Sequence, residues 1–270
     1  MRQEPATPDA RARDGGEGSL VRTVRVIGAP RSGTNLVKYL MEANTDFRCV
    51  FNLGWWKHAV VPPLFDYHQP QTDNTPTVIM FRHPVSQILS FFRFSEKGRS
   101  AIYGAAGLAE FIRSPVFMDP PGVFSYRFST PVAYWEQYYY AALRWQRPGK
   151  FFLSLEALKA RPEVLLDLLR TIDPHCPLPG TVSLPDQYLG RNVDTHIAEA
   201  SPFEAGTTLE EEDADAEALA RTLAPGDLQC IMTGQVRALY AELEESNFSR
   251  MPASDAARPT GTNLGIEADG

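Results

Sequence analysis

The stretch VRVIGAPRSGTNLVKYLME, Val24 to Glu42, limits the possible folds more than any other part of the chain. Thr23–Ile27 is rich in β-branched residues and reads as a strand. Gly28, Ala29, Pro30 and Gly33 interrupt it, and apolar residues at 36, 37, 40 and 41 then mark one face of a helix over Asn35–Ala43. A strand that turns through glycines directly into a helix is the first half of a βαβ unit, and such units build parallel sheets.

The body continues the alternation. Phe47–Leu53 and 77–84 (TVIMFRHP) are strand-like, and 85–96 is helical with Pro84 suited to its first position. Residues 129–146 form a long aromatic helix, 150–158 begins as a strand, and 161–172 and 227–245 are amphipathic helices. The pattern predicts an α/β fold: three layers, α/β/α, around a mostly parallel central sheet, with ligands at the carboxyl ends of the strands. One domain is expected over 21–249. Polar, small-residue tails are expected at 1–20 and 250–270, and 59–76 and 97–130 read as a long loop and an insertion. The acidic run 209–220 reads as a solvated helix face.

Composition narrows the function. The net charge of −7 argues against a broad nucleic-acid surface, although a small anion site depends on the local field and not on the total. Cys49, Cys176 and Cys230 are too few and too scattered for a disulfide framework or a zinc set, which fits a reducing, cytoplasmic setting. No segment has the apolar length of a membrane span, and the first residues lack the apolar core of a secretory signal. Oligomeric state is not encoded in any pattern here.

The turn itself points to phosphate. Gly28 and Gly33 stand as in G-x-x-x-x-G, where the loop amides and the helix N-terminus face an anion. A nucleoside-triphosphate loop continues with Lys and then Ser or Thr; this one continues Thr34-Asn35, so its β/γ-phosphate lysine and its magnesium ligand are both missing. Arg31 instead puts a guanidinium in the loop, suited to the oxygens of a phosphate or sulfate group. A second arginine, Arg82, ends the strand at 77–84, and Ser90 lies eight residues on in the next helix.

PRSGTNLV and FRHPVSQILSFF together resemble the two nucleotide motifs of the sulfotransferases that use 3′-phosphoadenosine 5′-phosphosulfate (PAPS), and FFLSLEALKARPEVLLDLL is similar to their later strand-helix segment. The resemblance spans about residues 22–172. It implies a P-loop NTPase-like sulfotransferase fold. In that reading Arg31, Ser32, Gly33, Thr34 and Asn35 hold the 5′-phosphosulfate, Arg82 and Ser90 hold the 3′-phosphate, and PAP is released without a metal. Leu155 and Ala157 depart from the family's usual Tyr and Asp, and its late R-K-G-x-x-G loop is not recognisable; the segment 188–196 could replace it, with Arg191 reaching the 3′-phosphate, but reads more readily as a surface loop.

Transfer of a sulfuryl group to a hydroxyl or amine needs a base on the acceptor and a cation on the transferred group. His58 is the expected base, on the strength of its ordinary pKa near ~6.5. Lys57 is the expected cation beside Arg31. Neighbours on a strand point to opposite sides, so both can serve only if the chain turns there. Glu136 is a weaker rival for the base, and His83 reads as structural. Trp55 and Trp56 read equally as acceptor-pocket walls or as core. Trp135, Tyr138, Tyr139, Tyr140 and Trp145 read as core, with Tyr139 or a neighbour able to face the acceptor. That acceptor is expected to be a carbohydrate or a small natural product. The alternatives are a P-loop kinase of nucleotides or small molecules, and a PAP-binding module without catalysis.

Overall fold

The computed structural model describes residues 22–51, 56–60, 74–94, 107–118, 126–183, 221 and 223–250. The tails except Arg250, the acidic run at 209–220, Arg191, Trp55, most of the 59–76 loop and half of the 97–130 insertion lie outside them.

Four strands make the central sheet: β1 (Arg22–Gly28), β2 (Phe47–Val50), β3 (Thr77–Phe81) and β6 (Lys150–Ser154). They lie in the order β2-β1-β3-β6, and all three pairings are parallel. Every residue of β3 is buried, as expected of a central strand covered on both faces. Alternation sorts the sheet's side chains. Val24, Val26, Val78, Met80 and Leu153 join one core cluster with α1 (Thr34–Asn44), α5 (Leu155–Ala160) and α6 (Val164–Ile172). Ile27, Ile79, Phe81 and Phe152 join the other with α2 (Pro84–Phe94), α4 (Pro131–Arg144), α7 (Pro225–Ile231) and α8 (Gly234–Glu245). Helices thus cover both faces of a parallel sheet. A short helix α3 (Leu108–Phe111) and an antiparallel pair, β4 (Val116–Met118) and β5 (Tyr126–Phe128), lie within the insertion.

Helix starts follow local chemistry. Pro84 opens α2, Thr130 caps α4 by accepting from Ala133 N, and Ser154 caps α5 by accepting from Ala157 N. The single helix expected over 227–245 is two. Thr233 accepts from Val236 N and begins α8 afresh, and that capping bond favours a new start over continuation. Among the described residues no helix is long and apolar enough to cross a membrane.

The chain leaves β1 through α1 toward β2, then returns past β1 to β3. The crevice at the carboxyl ends of β1 and β3 is therefore the point where the strand order reverses, a place where α/β sheets bind ligands. Gly28 and Met80 are paired there, so the glycine loop and Arg82 leave neighbouring strands side by side.

Candidate functional site

The loop from Gly28 to Thr34 is wound tightly. Arg31 and Gly33 both have positive φ, 68° and 95°. For Gly33 that is cheap, but for Arg31 it is strained. A Cβ on Gly28 would stand 2.3 Å from Ser32 Oγ and 2.6 Å from Met80 O, so the loop closes over a position that only glycine fits. A Cβ on Gly33 would meet Leu155 Cδ1 at 2.7 Å. Leu155 thus packs against the loop.

The start of α1 is electrostatically positive and left open. Gly33 is its N-cap, with no side-chain capping bond and no acidic residue in the first turn. Ser32 Oγ is buried beside the Tyr139 hydroxyl but makes no hydrogen bond of normal geometry. Lys57 comes to the same place from the segment after β2. Only 5% exposed, it donates to Asn35 Oδ1 at 2.7 Å and lies 3.7 Å from the Phe51 ring centroid. Two cations, Lys57 and Arg31, therefore stand at a helix end that already repels cations, an arrangement suited to an anion.

The turn required for Lys57 and His58 to act together is present, with Ala59 N donating to Trp56 O at 2.9 Å. Gly28 N donates to Lys57 O at 3.1 Å, and His58 Nδ1 lies 2.5 Å from Gly28 O. A carbonyl only accepts, so Nδ1 carries the proton and Nε2 keeps its lone pair. Trp56 stands edge-on to the His58 ring at 4.9 Å and packs against the core, which is the second of its two expected parts. The expected ordinary pKa of His58 is corrected: burial, then the Lys57 charge and to a lesser degree Arg31, push it to about 3 against the raising effect of the Gly28 carbonyl.

Arg31 Nε donates to Ser90 Oγ at 3.0 Å. Two residues expected at separate phosphates are thus in direct contact, and Arg31, Ser32, Asn35, Lys57, His58 and Ser90 form one constellation. Arg82 leaves the end of β3 only 3% exposed. Glu136 accepts from Thr233 Oγ1 at the start of α8, a different neighbourhood. The His83 amide donates to Glu156 Oε1, and its ring lies edge-on to Tyr240.

The sequence reading missed a polar scaffold behind the site. Gln87, 3% exposed, donates to Pro30 O at 2.8 Å and accepts from Trp135 Nε1 at 3.0 Å. Tyr139, fully buried, donates to Met80 O and does not open toward an acceptor. Tyr134 and Tyr138 donate to His58 O and Lys57 O. One signal was available: Gln87 is a lone amide on an apolar helix face. Compared with family models, with curated proteins and with solved structures, the chain matches none.

Proposed function

We propose that the chain is a PAPS-dependent sulfotransferase built on a P-loop NTPase-like fold. The observation that carries this reading is the uncapped N-terminus of α1, where Arg31, Lys57 and the buried Ser32 hydroxyl converge on a glycine loop without its own lysine. In this reading the loop amides and Arg31 hold the 5′-phosphosulfate, and Arg82 and Ser90 receive the 3′-phosphate. The acceptor oxygen or nitrogen forms a bond to sulfur as the bond from sulfur to the bridging phosphate oxygen breaks. His58 Nε2 takes the acceptor proton: with a pKa of about 3 the ring alone is a weak base, and in this reading the negative phosphosulfate held beside it steadies the imidazolium, while Lys57 and Arg31 offset charge on the departing oxygen and PAP leaves. Asn35, at the position where a kinase loop has its magnesium-ligating hydroxyl, accepts from Lys57 instead, which supports transfer without a metal.

A second reading has one observation in its favour. Lys57 reaches the first turn of α1 and could replace the missing loop lysine, which would permit phosphoryl transfer from ATP. A thermal-shift and transfer experiment separates the two. PAP without metal is expected to raise the melting temperature. Arg82→Ala is expected to weaken 3′-phosphorylated ligands selectively, and labelled PAPS to mark an acceptor from a panel of glycans, phenols, alcohols and amines. Stabilisation by ADP with Mg²⁺ but not by PAP would overturn the proposal.

A further inference from the structure

The turn bearing Lys57 and His58 is fastened through its main chain. Lys57 O accepts from Gly28 N on one side and, at 3.0 Å, from the Tyr138 hydroxyl on the other. His58 O accepts from the Tyr134 hydroxyl at 2.6 Å. Tyr134 and Tyr138 are one helical turn apart on α4, so their hydroxyls reach two consecutive carbonyls in register. Both rings are buried, at 2% and 0% exposure, and phenylalanine would fill the same space. Burying a phenol hydroxyl carries a desolvation cost that packing does not require, and here each hydroxyl is directed at the same four-residue turn.

We propose that Tyr134 and Tyr138 are positioning residues for the Lys57–His58 pair. Their hydroxyls fix the turn so that the lysine ammonium stays at the first turn of α1 and His58 stays in its Nδ1–H tautomer with Nε2 bare. The claim rests on the roles given to Lys57 and His58 above, but its structural half can be measured without them. The test compares wild type with Tyr134→Phe, Tyr138→Phe and the double variant. Asp173→Ala serves as control, because it removes the partner of Arg22 at the start of β1 without touching the turn or α4.

Imidazole ¹⁵N shifts report the His58 tautomer, and kcat and the KM for PAPS report the reaction. The double variant is expected to populate both tautomers and to lose about 10- to 100-fold in kcat, with KM changed by less than about twofold. The control should lower the melting temperature and leave tautomer and kcat alone. A double variant with wild-type kcat and a single Nδ1–H tautomer overturns the proposal, as does a control with the same kcat loss. If the double variant does not fold, the single variants are held to the same expectations. If the wild type transfers nothing from PAPS, the functional reading fails, and the tautomer comparison alone decides the positioning role.

Discussion

His58 has an environment that works against its charged form at every contact but one. Burial and the neighbouring Lys57 and Arg31 charges lower its pKa to about 3, while the Gly28 carbonyl opposes them. In the unfolded chain the ring titrates near ~6.5, so on acidification the unfolded state takes up the proton first. The neutral ring's contribution to stability is therefore complete above about pH 6.5 and is lost as pH falls toward 3. His58→Asn keeps a donor for Gly28 O and has nothing to titrate. Denaturant unfolding of both proteins between pH 7 and 4 should show wild type losing up to about 1.4 kcal/mol per pH unit more than the variant. Parallel pH dependences would show that His58 is not held neutral by the fold.

At the scale of elements, the glycine loop and its helix were legible because everything that defines them is local. The β-branched run, the two glycines and the helical spacing all lie within Thr23–Ala43. Pro84 marked the start of α2 for the same reason. What the sequence concealed depends on which elements face each other. His58 looks like an ordinary loop histidine until β1 and α4 close around its turn, and nothing local reveals that Tyr134 and Tyr138 donate to that turn. The contact between Gly33 and Leu155 is equally non-local, and it is testable. Gly33→Ala combines a positive φ with a Cβ 2.7 Å from Leu155 Cδ1, and should cost about 1–3 kcal/mol in chemical denaturation. Leu155→Ala removes the obstacle, so the double variant should be less destabilised than the sum of the singles by at least about 0.5 kcal/mol. Additive effects would mean that the loop and α5 do not share this contact. Gly28→Ala should be the harsher change, since its Cβ would stand 2.6 Å from Met80 O, a main-chain atom in a central strand that cannot step aside.

For the whole molecule, strand order matters more than any one motif. Arg31 and Arg82 are far apart in sequence, yet pairing of Gly28 with Met80 brings the segments that carry them out of the sheet together. The opposite end of the sheet is built differently: Thr77 N donates to Gly149 O, Arg147 to Thr75 O, and the Lys150 ammonium to three carbonyls at the end of α4. Those donors are satisfied within the protein, whereas the carboxyl end holds the uncapped helix and the buried serine hydroxyl. A single nucleotide with two phosphates should therefore act on one end only. At one hundred times its dissociation constant, PAP should add about 2.7 kcal/mol to stability. In hydrogen exchange the extra local protection should fall in 28–37, 56–60 and 82–90, and segments 74–77 and 145–150 should change no more than the rest of the core. Protection centred on 74–77 and 145–150 would put the ligand at the wrong end of the sheet. Protection of the loop at 28–37 without 82–90 would mean that the two arginines do not share one nucleotide, and the second phosphate site would have to be given up while the glycine loop kept its anion.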